Sequence, residues 1–202
     1  MSVETNLRAL ADRWSPAAPA ERSNAQLYLT ELTEALGVER PRPSGAGYEF
    51  EHPVRVVTRD GTETVKWADL YKEGCFILEA KDEDSNSSSD LLLRRAFGQA
   101  VEYASFVRGA PPPYLLVLDV GDTLIVWDRW HGTYGGFQAG RRVDLRTLDE
   151  RPADIRLLQD IWERPHARDP KAQVETVTRE IARHLAELSA SLEGRGHDQE
   201  TV

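Results

Sequence analysis

A chain of 202 residues, 40% of them hydrophobic and 29% charged, is long enough for one globular domain with a hydrophobic core. The formal net charge of −9 argues against gripping nucleic acid by bulk electrostatic attraction, although an acidic metal site would itself add negative charge. The apolar runs fall short of the roughly 20 residues that span a membrane, and the N-terminus lacks a signal-peptide pattern. The single cysteine, Cys75, excludes an internal disulfide and a cysteine-based zinc site, so a cytoplasmic protein without a membrane partner is expected.

Two helices are predicted at the N-terminal end of the chain. The first has a short amphipathic pattern at Leu7, Leu10, Ala11 and Trp14 and runs into a Pro/Ala-rich linker. Ser23 or Asn24 can cap the second helix, and Gly37 is placed to end it because glycine adopts the left-handed backbone that often follows a helix.

Strand patterns dominate the next part of the chain. Residues 48–58 and 62–70 are rich in aromatic and β-branched residues and are joined by Arg59-Asp60-Gly61, which predicts a β-hairpin. Residues 75–80 form a short apolar run that is typical of a central strand. A polar loop over residues 81–90 can then cap the helix that follows.

The following helix is predicted over residues 91–108, before three consecutive prolines. Two further strands, residues 114–120 and 123–130, are joined by a turn at Gly121-Asp122. Three strands, a helix and two strands in this order predict an α/β sheet with one crossover helix. The stretch from 131 to 142 has the composition of a loop.

Two helices are predicted near the C-terminal end, over residues 151–163 and from Pro170 onward. The second carries one apolar stripe, formed by Val174, Val177, Ile181, Leu185, Leu188 and Leu192. Two interpretations of this stripe stay open. The chain is a piece of a longer protein that covers it, or the helix lies back on the sheet.

Charged side chains interrupt the apolar strands at one place. Glu79 and Lys81 are two residues apart, so on a strand they leave the same face, and the nine residues before Glu79 let Asp69 stand beside it on a neighbouring strand. Two close carboxylates repel each other unless a hard cation such as Mg²⁺ lies between them. Such a cation would polarise a phosphoryl oxygen, and Lys81 would orient water or stabilise the developing charge, which is phosphodiester hydrolysis chemistry. The alternative is a salt-bridged strand end in which Lys81 neutralises one carboxylate.

A second polar pair lies on the helix that follows. Gln99 and Tyr103 are four residues apart and therefore share a helix face. They could hydrogen-bond a phosphate or orient the end of the strand that carries Glu79. Equally, Tyr103 could be a core aromatic residue whose hydroxyl is satisfied within the protein.

Taken together, the spacing Asp69-x9-Glu79-x-Lys81 followed by Gln99-x3-Tyr103 resembles the PD-(D/E)xK nuclease superfamily and its RecB-like QxxxY variant. Ala68 stands where the motif usually has proline. Several segments also resemble the N-terminal endonuclease domain of MmeI-like type IIL/IIG restriction enzymes, which join a nuclease and an adenine methyltransferase in one chain. These segments are LYLTELTEALGV, ADLYKEGCFILEAK, RAFGQAVEYASFV and PPPYLLVLDVGDTLIVWD, and the tail VTREIARHLAELSASLEGRGHD resembles the connector to the methyltransferase.

The resemblance implies an α/β restriction-endonuclease-like fold, with a mixed sheet flanked by helices and a C-terminal helical connector. It implies an N-terminal helix and linker over residues 1–20, a nuclease domain over 21–150 and a connector over 151–202. The connector would lead toward a C-terminal methyltransferase region that is missing here.

The resemblance also implies roles for individual residues. Asp69 and Glu79 become metal ligands, Lys81 the catalytic lysine, and Gln99 and Tyr103 the QxxxY pair. Glu31 matches an acidic residue that often joins such sites through water, with an exposed helix glutamate as the alternative. Two further acids, Asp119 and Asp122, lie where the family tends to have carboxylates, but a turn explains both and no role is predicted for them.

A metal-dependent DNA endonuclease from a restriction–modification or phage-defence protein is therefore expected. It would use Mg²⁺, for which Mn²⁺ can substitute, act on double-stranded DNA and self-associate on it, because cutting both strands usually needs two active sites. Neither a glycine-rich S-adenosylmethionine loop nor an Asn-Pro-Pro-Tyr-type motif is found, so S-adenosylmethionine binding and sequence recognition are expected beyond Val202. The second hypothesis is a catalytically inactive nuclease-like interaction or regulatory module.

Some arginines are candidates for contact with the DNA backbone. The candidates are Arg94, Arg95, Arg108, Arg141 and Arg142, with a solvated surface position as the alternative for each.

Overall fold

The computed structural model describes residues 2–14, 24–42, 47–58, 60–81 and 88–193. The helices are α1 (Val3–Trp14), α2 (Ala25–Leu36), α3 (Ser89–Ala104), α4 (Pro152–Glu163) and α5 (Pro170–Glu193). The strands are β1 (Tyr48–Val57), β2 (Glu63–Lys72), β3 (Phe76–Ala80), β4 (Tyr114–Asp119), β5 (Thr123–Asp128) and β6 (Arg141–Asp144). Among the described residues, no helix is both long and apolar enough to cross a membrane. The chain forms two compact units, Met1–Pro165 and His166–Val202, and each is described by itself.

The first unit is built on one six-stranded sheet in the order β1-β2-β3-β4-β5-β6. Strands β3 and β4 are parallel, and every other neighbouring pair is antiparallel. Parallel neighbours need a crossover connection, and α3 provides it between β3 and β4. The predicted mixed α/β sheet flanked by helices, with one crossover helix, is confirmed.

Helices cover both faces of the sheet. The core on one face contains side chains from α1, α2 and α4, with Leu116 and Leu118 from β4. The core on the other face contains side chains from α3, with Leu115 and Val117 from the same strand. All six residues of β4 are buried, as expected for a strand that is covered on both sides.

Local capping fixes where the predicted helices begin and end. The side chain of Asn24 accepts a hydrogen bond from the backbone N–H of Leu27 at the start of α2. Gly37 ends this helix with a φ of 72°, a conformation that glycine adopts without steric cost. At the start of α3, the Ser88 hydroxyl accepts a hydrogen bond from the backbone N–H of Leu91. Both ends predicted for α2 are confirmed.

The structure departs from the sequence-based expectation at two elements. Strand β6 begins at Arg141, at the end of the segment expected to be a loop, and pairs with β5 at the edge of the sheet. Only Val143 of this strand is buried, so it lacks the alternating pattern that would indicate a strand. Helix α3 ends at Ala104, before the expected residue 108, because the N–H of Phe106 bonds to the carbonyl of Tyr103 three residues back and tightens the chain.

The second unit contains the predicted last helix, α5. Its row of Val174, Val177, Ile181, Leu185 and Leu188 is exposed. The side chain of Leu192 lies outside the described residues, as does Arg59 in the turn between β1 and β2.

Candidate active site

The two candidate metal ligands stand beside each other on neighbouring strands. Strands β2 and β3 are antiparallel, with Leu70 opposite Leu78, which brings Asp69 next to Glu79. The backbone N–H of Ala80 donates to Asp69 Oδ2 at 2.7 Å, and the backbone N–H of Asp69 donates to Glu79 Oε1 at 3.3 Å. Each carboxylate is therefore oriented by the backbone of the other strand.

A change in strand geometry places Asp69 at this position. Residues two apart on a strand normally share a face, yet Ala68 packs in the core under α3 while Leu70 packs in the core on the opposite side. On β1, Glu51 has a φ of 49°, the only positive φ of a non-glycine residue in the described part of the chain. Local distortions of this kind re-aim side chains in a sheet and occur often beside functional sites. Ala68, which replaces the proline of the motif, is fully buried here.

Glu79 is a buried carboxylate in an otherwise apolar strand. Its residue is 4% exposed, and the three preceding residues of β3 are buried hydrophobic side chains. A buried charge is costly unless it is paired, hydrogen-bonded or bound to a metal. This position is therefore not a simple surface glutamate.

Lys81 follows β3 directly and lies in a polar cluster with two residues from other elements. Its Nζ donates to Asp119 Oδ2 at 2.8 Å and to Ser89 Oγ at 3.3 Å. The Ser89 hydroxyl donates to the same Asp119 oxygen at 3.1 Å. The cluster therefore joins the ends of β3 and β4 to the first turn of α3.

Sequence reasoning predicted no role for Asp119 and treated Ser89 only as part of a polar loop that can cap the next helix. The signal for Asp119 was present in the topology. If β3 and β4 are parallel neighbours, Ala80 lies opposite Leu118 and the next residues, Lys81 and Asp119, follow at the same edge. That register had to be known before the pair could be recognised.

The two residues of the QxxxY pair lie in different environments on α3. Gln99 is exposed, whereas Tyr103 is 5% exposed and belongs to the core under the helix. The ammonium of Lys66 lies 5.9 Å from the centroid of the Tyr103 ring. Their predicted roles at the phosphate stay predictions.

Glu31 joins α2 to the N-terminal helix. Its carboxylate accepts a hydrogen bond from Trp14 Nε1 at 2.8 Å and forms an ion pair with Arg13 at 2.6 Å. Its predicted contact with the metal through water stays a prediction.

Asp69 and Glu79 fit the ligand chemistry of a hard divalent cation. Among the residues that the structure describes, no three His, Cys, Asp or Glu side chains form a group that could hold a metal ion. Mg²⁺ is commonly bound through one or two carboxylates, with waters and substrate phosphate oxygens as its other ligands. Two oriented carboxylates on adjacent strands meet that requirement.

One comparison with known proteins gives a match. A family model described as the N-terminal domain of MmeI matches residues 5–195. No curated protein and no solved structure matches the chain. The family match covers nearly the whole chain, and it agrees with the resemblance carried by the strand and helix motifs. The chain therefore belongs to the MmeI N-terminal domain family, which points to a domain of a restriction enzyme.

Proposed function

We propose that this chain is a metal-dependent DNA endonuclease domain that hydrolyses phosphodiester bonds within a restriction–modification or phage-defence protein. The observation that carries the proposal is the side-by-side position of Asp69 and Glu79, each hydrogen-bonded to the backbone of the other's strand. The family match supports the restriction-enzyme context. Assignment to the type IIL/IIG class is part of the proposal.

In this proposal Asp69 and Glu79 hold Mg²⁺. The bound ion supplies Lewis-acid polarisation of a phosphoryl oxygen and lowers the pKa of a bound water. The protein supplies fixed carboxylates, because the backbone of each strand orients the carboxyl group of the other. Lys81 supplies a positive charge one residue past the end of β3, where it orients the attacking water or stabilises charge on the phosphate.

The proposed partner is double-stranded DNA. Since the chain carries a net charge of −9, most of the electrostatic attraction to DNA has to come from basic surfaces outside this chain. Self-association on DNA is part of the proposal, because cleavage of both strands usually needs two active sites. We also place S-adenosylmethionine binding outside this chain.

The first test is titration of Mn²⁺ by calorimetry into the wild-type chain and into Asp69→Asn and Glu79→Gln. Both substitutions keep the shape of the side chain and remove its charge. Asp128→Asn is the matched control, because Asp128 is an exposed carboxylate at the end of another strand of the same sheet. We expect one Mn²⁺ site in the wild type and in Asp128→Asn, and at least a tenfold loss of affinity in the other two variants.

A folded wild-type chain that binds no Mn²⁺ would overturn the metal-dependent mechanism. It would favour the second candidate, a nuclease-like interaction or regulatory module. The observation that favours this alternative is that Lys81 already has Asp119 as a partner. Cleavage of supercoiled plasmid DNA with Mg²⁺, assayed with and without S-adenosylmethionine, then tests activity separately from metal binding.

A further inference from the structure

A cavity of about 570 Å³ lies along the edge strand β1, on the side where α3 ends. Its volume is within the range of sites that bind small molecules and cofactors. The side chains that define its chemistry are the carboxylates of Glu49 and Glu73, the basic groups of His52, Arg55 and Arg108, and the rings of Tyr71 and Phe106. Acidic, basic and aromatic groups therefore line one concave surface.

His52 is held in a fixed orientation in the wall of this cavity. Its Nδ1 lies 2.7 Å from Glu49 Oε1, and its ring stacks on Tyr71 with centroids 4.3 Å apart. Glu49 is 8% exposed, so the carboxylate is buried behind the imidazole. With Nδ1 donating to Glu49, the other ring nitrogen, Nε2, can interact with a ligand.

Arg55 and Arg108 bring two arginine side chains to this cavity. In the described part of the chain, neither guanidinium has an ion-pair partner, although both side chains are exposed. By contrast, Arg94 is paired with Asp90 and Arg141 with Asp154. Two unpaired arginines on one cavity in an acidic protein indicate an anionic ligand.

The cavity adjoins the candidate active site through two shared elements. Tyr71 lies two residues after Asp69 on β2, a separation of about 6.6 Å along a strand. Phe106 lies three residues after Tyr103, just past the end of α3, and is 37% exposed. If one phosphate of a DNA strand lies at Asp69 and Glu79, a neighbouring nucleotide of the same strand is therefore close enough to enter the cavity.

We propose that this cavity binds one nucleotide of a DNA strand next to the scissile phosphate. Arg55 and Arg108 contact its phosphate, and Phe106 provides an aromatic surface for its base. Stacking on an aromatic side chain is a common way to hold single-stranded nucleic acid, and arginine is well suited to phosphate. The assignment of the nucleotide to the substrate strand rests on the proposed nuclease function.

The test uses a fluorescently labelled 5′-phosphorylated thymidine trinucleotide and measures its binding by anisotropy in EDTA, without a divalent metal. The wild type is compared with the double variant R55A/R108A. Arg156→Ala is the matched control, because Arg156 is also exposed, has no ion-pair partner among the described residues, and lies on α4, which packs against the other face of the sheet.

We expect the double variant to bind at least tenfold more weakly than the wild type and Arg156→Ala. Because one phosphate contact to a single strand contributes about 0.7 to the slope of log affinity against log salt, and both arginines contact the same phosphate, the slope should fall by about 0.7. Phe106→Ala should weaken binding about tenfold with an unchanged salt slope, as expected for a lost stacking contact. Two competitors separate the contribution of the base from that of the phosphate. One is inorganic phosphate, and the other is the thymidine trinucleotide that lacks the 5′-phosphate.

Equal binding by wild type and the double variant, or absence of binding to a folded wild type, would overturn the inference. If inorganic phosphate displaced the labelled trinucleotide at the same concentration as the unlabelled trinucleotide does, the proposed contact with the base would also be overturned. Asp69→Asn should retain trinucleotide binding in EDTA, because the cavity does not depend on the metal. Failure of the nuclease proposal would appear in the Mn²⁺ titration, whereas failure of this inference appears only in the trinucleotide measurement.

Discussion

Lys81 and Asp119 form an ion pair of 2.8 Å across the parallel strands β3 and β4. Their side chains are only 18% and 11% exposed, so the pair is largely shielded from solvent. Ser89 hydrogen-bonds both partners and adds the first turn of α3 to the cluster. The candidate catalytic lysine is therefore held by two elements other than those that carry the two proposed metal ligands.

Asp119→Asn should lower the free energy of unfolding by about 3 kcal/mol, because it leaves a shielded ammonium without its anion. Ser89→Ala should cost about 2 kcal/mol, because its hydroxyl hydrogen-bonds two charged groups. Urea unfolding of the purified variants measures both values. Asp122→Asn is the control, since its ion pair with Arg146 is more exposed and should contribute less than about 1 kcal/mol. Equal unfolding free energies for Asp119→Asn and Asp122→Asn would show that the pair is not a stabilising contact.

Asp69→Asn and Glu79→Gln should each raise the stability of the metal-free protein by about 1 kcal/mol, because one of two adjacent negative charges is removed. Thermal unfolding in EDTA is the measurement. In the wild type, Mn²⁺ should then raise the melting temperature, and this increase should be lost in both variants. If the carboxylates were only structural partners, the same substitutions would lower stability in EDTA.

Gly140→Ala should destabilise the first unit by about 2 kcal/mol through overpacking. A Cβ at this position would overlap the side chains of Trp127 and Ile125, which are both buried. Gly136→Ala is a close control, because nothing lies within 4 Å of its Cβ position and its φ of −84° suits any residue. Denaturant unfolding that gives equal midpoints for the two variants would contradict the close packing of Gly140 against Trp127 and Ile125.

Stability should decline at alkaline pH because of buried tyrosines. Burial raises the pKa of Tyr28, with a smaller effect from the negative charge of Asp122, and burial also raises the pKa of Tyr48 and Tyr134. A folded pKa above the unfolded value near 10 means that the stability is complete below about pH 10 and is lost as pH rises above it. Each tyrosine should contribute a slope of about 1.4 kcal/mol per pH unit in that range. Tyr28→Phe should reduce the slope by that amount in urea unfolding between pH 9 and about 11.5, and an unchanged slope would contradict the burial of its hydroxyl.

The sequence predicted those parts of the fold whose residues carry a local signal. Gly37 marks the end of α2 because glycine readily adopts a left-handed φ, and the spacing from Asp69 to Glu79 fits two strands joined by a turn. Strand β6 was not predicted, because a single buried residue, Val143, gives the sequence no hydrophobic periodicity. The Lys81–Asp119 contact depends on the register between two strands with a helix between them, which no local pattern encodes.

The parallel pairing of β3 with β4 has a consequence for the order in which the site assembles. Asp69 and Glu79 are 10 residues apart, so their contact needs only the closure of a short loop between β2 and β3. Lys81 and Asp119 are 38 residues apart, so their contact needs β4 to pair with β3 across the intervening helix. Sequence separation therefore favours the two carboxylates coming together before Lys81 acquires its partner.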